Sequence, residues 1–362
     1  MDALEPSWRF SPGGLFFLAV AGASDVPPDA PPDALAAAWN LARSQGLAPL
    51  FAAFALDHPA LEWPESVRDA ALLTRRSILS RNLQLLSLLE RIRHAFDGAG
   101  IPWLSIKGPV FTAQFAGDLS LRASSDLDVL VRPDDVASAA ARFRELGILS
   151  HRPPRPFFSR LGVRGHEHRF FSSSPRFLVE LHWNFASQCY EIVDLDAAFR
   201  RSRVARLPEG SFPSPSAEDS LLFAALHGFG HRWERLDHAK VLDWILREPT
   251  TSPGSRRIPR SLDWDYVLYA AAKTRKTRAL LLGLSLARDW LGSPLPDSIL
   301  RLAEADPALP RLVRWADGNF AGASISRSRV GALAFKLRAL ETNRDRTMLL
   351  LRALAKPAIN AR

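Results

Sequence analysis

Polar and apolar positions change their period several times along the chain, and each change marks an element. From Ala34 to about Ala99 apolar residues recur at helical spacing. Leu79, Leu83, Leu86, Leu89, Ile92 and Phe96 form one stripe, with Arg75, Arg76, Arg81 and Arg91 between them. This predicts an amphipathic helical arm that stops at Gly98-Ala99-Gly100. Ahead of it, the acidic, proline-rich link from Asp25 to Asp33 is incompatible with a helix interior. After it, Ile101 to Ile106 reads as a short strand, Pro109 to about Phe115 as a helix, and Asp126 to Val131 as a strand. Pro133, Asp134 and Asp135 open a further helix that reaches Leu146 and ends at Gly147, with acids placed favourably for the dipole. His166 to Phe171 and Phe177 to Trp183 read as two strands of a hairpin joined around Ser172 to Pro175. From the N-cap signal Ser216-Ala-Glu-Asp219 the pattern is helical through Leu246, and it continues in pieces from about Trp264 to Leu354.

The pattern describes an α+β protein: a small mixed β-sheet core flanked by an N-terminal helical arm and a C-terminal helical domain. We place the divisions at 1–99, 100–210 and 211–362. With 362 residues, 47% hydrophobic and 23% charged, the chain can bury a sizeable core. Its formal charge of +9 comes mainly from arginines spread along the whole length, which favours anionic partners without naming one. The lone Cys189 excludes an internal disulfide and fits a reducing compartment, so the expected location is the cytoplasm. Leu15 to Gly22 has the length of a signal-peptide apolar region, but Asp2, Glu5 and Gly13-Gly14 do not suit one. No apolar run reaches the roughly 18 residues a membrane helix needs, so no membrane partner is expected.

Candidate chemistry gathers in Arg122-Ala-Ser-Ser-Asp-Leu-Asp128. Strand alternation puts Asp126 and Asp128 on one face and Leu127, Val129 and Val131 on the other. Two close, inward-facing carboxylates need a counter-charge, and a magnesium ion shared with substrate phosphates would supply it. In the later strand, Glu180 and His182 share a face opposite Val179, Leu181 and Trp183, so Glu180 can complete a three-carboxylate site. Lys107-Gly108 follows a strand and opens a helix, where the glycine allows close backbone approach and the helix N-terminus favours phosphate. Arg122 either holds a phosphate bidentately or braces the carboxylates by ion pairing. Ser124 and Ser125 offer hydroxyls at the strand start or cap its turn.

This set of residues resembles the nucleotidyltransferase superfamily with the DNA polymerase beta-like fold. It is most similar to a bacterial family of uncharacterised nucleotidyltransferases. The residues that carry the likeness are Lys107-Gly108, Arg122, Asp126-Leu-Asp128 and Glu180-Leu-His-Trp183, and it runs more loosely through His227, Arg235 to Asp243 and Trp264-Asp265. The resemblance implies a metal-dependent enzyme (EC 2.7.7-like) that binds ATP or another nucleoside triphosphate. Such an enzyme moves the nucleoside monophosphate to a hydroxyl or phosphate of an acceptor. It implies Asp126, Asp128 and Glu180 as ligands of Mg2+ or Mn2+ and as catalytic groups, with Glu180 activating the acceptor. Lys107, Gly108, Arg122, Ser124 and Ser125 would bind the nucleotide. Where the superfamily usually carries Gly-Ser this chain has Lys107-Gly108, so a hydroxyl that normally touches the triphosphate is missing.

Other groups have plainer readings. His168, His182 and Asp243 are candidates for an acceptor pocket. His166, His168 and His182 lack a cysteine partner or a helical His-Glu-x-x-His spacing, so they do not read as zinc ligands. His227 and His231, four apart on a predicted helix, read as core or capping residues, and Asp237, Lys240 and Asp243 as helix ion pairs. The acceptor is expected to be a small molecule or peptide, because no nucleic-acid module accompanies the core. The alternatives are a catalytically inactive nucleotide-binding or regulatory protein on the same fold, and a basic nucleic-acid binder.

Overall fold

A computed structural model describes residues 11–22, 30–150, 166–173, 175–185, 193–249, 258–320 and 329–359. The chain is a mixed α+β protein in which a small five-stranded sheet is flanked by helices on both faces. Cys189 and the basic loop from Arg152 to Arg164 lie outside the described residues.

The N-terminal helical arm consists of α2 (Pro32–Ser44), α3 (Ala48–Asp57) and α4 (Glu65–Asp97), preceded by α1 (Pro12–Ala21). Breaks fall where the periodicity meets backbone constraints. Gly46 takes a left-handed φ of 75° before Pro49, and Pro59 and Pro64 separate α3 from α4. Along α4 the buried residues are Val67 and Ala71 in the first turns, then Asn82, Leu85, Leu86, Leu88, Leu89, Ile92 and Phe96, whereas Leu79 and Leu83 are exposed. Leu79 and Leu83 thus fall between the two buried stretches of the helix.

The sheet has the order β1-β2-β5-β4-β3, built from β1 (Trp103–Ser105), β2 (Asp126–Val131), β3 (Ile148–Leu149), β4 (Glu167–Ser172) and β5 (Leu178–His182). β2 and β5 are parallel, with Asp128 opposite Glu180, and the other pairings are antiparallel. One face carries Leu127, Val129, Val131, Val179, Leu181 and Phe170, packed in one core with α4 and with Phe143 of α6 (Val136–Glu145). The opposite face carries the acids, together with Leu104 and Leu130, which join a second and larger core. That second core unites α1, α2 and α3 with the C-terminal helices. Between β1 and β2 lies α5 (Gly108–Phe111), prolonged by one wide π turn at Thr112–Ala116.

Beyond β5 come α7 (Leu195–Arg201) and a hairpin of β6 (Arg203–Leu207) and β7 (Gly210–Ser214), to which the sequence pattern gave no strands. Pro208 and Gly210 at its turn obscure the alternation. The C-terminal helices are α8 (Ala217–Gly230), α9 (Leu236–Leu246), α10 (Trp264–Lys273), α11 (Thr277–Leu291), α12 (Asp297–Ala305), α13 (Leu309–Phe320), α14 (Arg329–Ala339) and α15 (Asn343–Ile359). Ser216 caps α8 as its sequence predicts, its Oγ accepting from the Asp219 amide at 3.1 Å. Leu15 to Gly22, the segment of signal-like length, falls largely in α1, whose Phe16 and Phe17 are fully buried. Among the described residues no helix is long and apolar enough to cross a membrane.

Candidate functional site

The polar face of the sheet assembles its chemistry from neighbouring strands. On β2, Asp128 is almost fully buried, and its Oδ1 accepts from Lys107 Nζ and from His182 Nε2, both at 3.0 Å. Its Oδ2 is buried without a hydrogen-bond partner. On β5, Glu180 Oε1 accepts from Arg169 Nε at 2.9 Å, and Glu180 Oε2 lies 3.6 Å from His182 Nε2. Ligand atoms of Asp128, Glu180 and His182 all come within 4.8 Å of one another. Asp126 stands two residues before Asp128, half-buried, and accepts from its neighbour Ser125 Oγ at 3.0 Å.

Charge explains why these acids can be buried together. Burial opposes ionisation of Asp128, but Lys107 and His182 outweigh it and hold the carboxyl far below its ordinary range. Asp126 moves the other way, raised first by burial and then by the Asp128 charge. Burial disfavours the His182 imidazolium, yet the hydrogen bond to Asp128 and the nearby Glu180 carboxylate push its pKa up to about 9. Burial likewise works against the charge on Lys107, and Asp128 more than compensates. An ammonium and an imidazolium thus balance the carboxylates. A divalent cation brings the same charge, and the carboxylate oxygens, the unpartnered Oδ2 and the imidazole form a donor set that fits one.

Backbone geometry holds the surrounding groups. Gly108 adopts φ 72°, a left-handed conformation that favours glycine, where the turn after β1 passes the Asp126 carbonyl of β2. Lys107 also lies over the Phe223 ring of α8, 5.1 Å from its centroid. The loop entering β2 is clamped by α4. Arg81 donates to the carbonyls of Ser124 and Ser125, and fully buried Asn82 donates to those of Leu119 and Arg122. Ser124 is buried with its hydroxyl unpartnered. The Arg122 guanidinium forms no hydrogen bond or ion pair among the described residues and rests 5.9 Å from the Phe111 ring centroid. Burial lowers its pKa against the pull of Asp237, Asp128 and Asp126, so it is a desolvated cation beside the acids without a dedicated partner.

Not every residue singled out from sequence reaches this place. His168 lies on the opposite face of β4, edge-on to Phe170 and bonded to Ser150 Oγ at 2.7 Å. Its parity is that of the core residues, not of Glu180. Asp243 belongs to a separate buried network, accepting from Lys240, Arg247 and Ser293. His182 stands inside the acidic cluster rather than beside it. Sequence reading missed Arg169 and Glu167, which face Glu180 and His182 across the β4–β5 register. Alternation gave the parity of β4, but the pairing register that brings these residues opposite β5 has no local signal.

No curated protein matches the chain. One family, described as uncharacterised nucleotidyltransferase, has a sequence model that matches residues 32–292, a span running from α2 through the sheet and the acidic cluster to the end of α11. A match over that much of the fold, with the site inside it, makes this chain a member of the uncharacterised nucleotidyltransferase family.

Proposed function

We propose that the protein is a metal-dependent transferase of the DNA polymerase beta-like superfamily that moves a nucleoside monophosphate from a triphosphate to an acceptor hydroxyl or phosphate. The observation that carries this reading is the pairing of Asp128, Glu180 and His182 on one face of β2 and β5, with the unpaired Arg122 guanidinium alongside. Asp128 and Glu180 would hold Mg2+ or Mn2+, with Asp126 at the strand entrance and His182 as a further ligand or a brace for Asp128. A bound divalent ion would neutralise phosphate charge and lower the pKa of an attacking hydroxyl. The residues of the chain do the remaining work. Glu180 orients the acceptor hydroxyl and takes its proton as that oxygen bonds to the α-phosphorus. The bond from that phosphorus to the β-phosphate bridging oxygen breaks, and pyrophosphate leaves. Arg122 and Lys107 bind phosphate oxygens, Lys107 after parting from Asp128, while the backbone at Gly108 and the Ser124 and Ser125 hydroxyls line the nucleotide's path. A small or peptide acceptor suits the absence of a recognised nucleic-acid module.

The test combines Mn2+ binding, followed by electron paramagnetic resonance, with pyrophosphate release from each triphosphate. Asp128→Asn should weaken Mn2+ binding at least about tenfold, because a charged ligand becomes neutral. Release should fall by about a hundredfold or more, as for loss of a preorganised electrostatic group. Undiminished metal and triphosphate binding in the Asp126→Asn/Asp128→Asn protein would sink the reading.

A further inference from the structure

Opposite the acidic face, α8 and α9 bring together three imidazoles that the foregoing reading does not use. His227 and His231 lie 4.6 Å apart between ring centroids, His231 and His238 5.1 Å, and His227 and His238 6.0 Å. They grade from solvent inward: His231 is exposed, His227 half-buried and His238 buried. None of their ring nitrogens has a hydrogen-bond partner among the described residues. His238 Nδ1 is buried without one, and its Nε2 stands 3.9 Å from Asp237 Oδ1, too far for a bond. A buried polar atom left unmatched is costly, so His238 Nδ1, the innermost nitrogen of the trio, calls for a partner.

The setting decides the sign of that ligand's charge. Lys107 packs on Phe223, whose ring lies 6.2 Å from His227. Lys107, Arg122, Arg235 and Lys336 are the cations felt at the cluster, and Glu234 and Asp237 the anions. Asp237 is already matched by Arg235 at 2.7 Å and Glu234 by Arg232 at 2.8 Å. Arg235 is matched in turn by Asp237, and Lys107 by Asp128 at 3.0 Å, so among the described residues the cation felt here without an ion pair of its own is Arg122. Burial first, and then these cations, keep His227 and His238 neutral, so each offers one N–H donor. The corner that presents them is purpose-shaped, since Arg232 and Trp233 are consecutive non-glycine residues at φ 60° and 55°.

We propose that His227, His231 and His238, with Arg122 facing them, bind the pyrophosphate portion of a nucleoside triphosphate. This rests on the transferase reading and supplies what the missing Gly-Ser hydroxyl would have given. A polyphosphate accepts hydrogen bonds from neutral imidazoles and pairs bidentately with the guanidinium. It lies within reach of Lys107 once that residue leaves Asp128. Three imidazoles are also a donor set for a transition metal, but a further cation would meet the Arg122 charge, which has no ion pair among the described residues to offset it.

The experiment is calorimetric titration of the full chain with Mg2+-pyrophosphate and with each triphosphate. Mn2+ binding and thermal unfolding are measured on the same samples. In His231→Ala, an exposed change, pyrophosphate affinity should fall about tenfold, the size of one hydrogen bond to a charged group. Mn2+ binding and the unfolding temperature should stay as in the parent. His231→Asn, which keeps a donor, should recover part of the loss, and His227→Asn/His231→Ala should lose more than either single change. Unchanged pyrophosphate affinity in all these variants overturns the inference, as does Zn2+ binding at the cluster that pyrophosphate does not compete with. A parent protein that binds no triphosphate at all would instead sink the transferase reading itself.

Discussion

At the scale of single residues, the site is a balance of buried charges, and His238 shows how such a balance reaches into stability. Its pKa is pushed down to about 3, first by burial and then by the His231 and Arg235 charges. The unfolded chain takes up a proton at its ordinary value near 6.5, which the folded chain refuses. Its contribution is therefore complete above pH 6.5 and is lost as pH falls from there toward 3. The slope approaches about 1.4 kcal/mol per pH unit. Urea unfolding at pH 5 and pH 7 measures this: His238→Gln should lose clearly less stability than the parent between the two. Equal losses would mean that the imidazole is not held neutral. Asn82 makes a second case at this scale. Asn82→Leu keeps the branching at Cγ but leaves the Leu119 and Arg122 carbonyls unmatched, which should cost about 1–3 kcal/mol or more in urea unfolding. It should also weaken triphosphate binding, because Arg122 is carried by that loop.

At the scale of elements, the wedge of Trp233 between α8 and α11 governs how the imidazoles are presented. A Cβ at Gly228 would meet the Trp233 ring at 2.4 Å, and one at Gly283 at 2.7 Å. Gly228→Ala and Gly283→Ala should each destabilise by about 1–3 kcal/mol or more through overpacking. Near-neutral unfolding curves would show that the corner can relax. Elements also mark the limit of what the sequence discloses. The face shared by Asp126 and Asp128, and that shared by Glu180 and His182, follow from the two-residue period of a strand, which needs no knowledge of neighbours. Helix starts at Ser216 and Pro133 were legible for the same local reason. Arg169 against Glu180 depends on the β4–β5 register, and the clamp of Arg81 and Asn82 joins residues about forty positions apart. The trio of His227, His231 and His238 needs the left-handed corner at Arg232 and Trp233, which no periodicity announces. The helical arm expected over 34–99 is three helices that share one continuous apolar period, and backbone constraints at Gly46 and the prolines divide them.

At the scale of the whole molecule, the two cores meet at the site. One lies under the sheet with α4 and α6, and the other joins the chain's first helices to its last ones. Phe17 of α1 stacks on Phe51 of α3 at 5.3 Å, and Lys240 of α9 donates to the Ala21 carbonyl at 2.8 Å. Phe17→Ala should cost about 3–5 kcal/mol, as for loss of a fully buried aromatic ring. In hydrogen exchange the loss should appear in α9 and α11 together with α2 and α3. Faster exchange confined to α1 would mean that the N-terminal helices fray independently.

That joining of first and last helices also sets an order of events during synthesis. When the last residue of α3 is added, α9 is still about 180 residues from being made, and α11 follows it. Buried faces around Phe17, Leu35 and Phe51 must then wait in solvent or in the care of a chaperone, as long-range contacts require. The carboxylates of β2 and β5 are made early, whereas the imidazole wall comes with the helices that close the core. A nascent chain stalled before α9 therefore carries its acids without the third imidazole, and even when His238 has been added the site must wait for the core that α11 and the later helices complete.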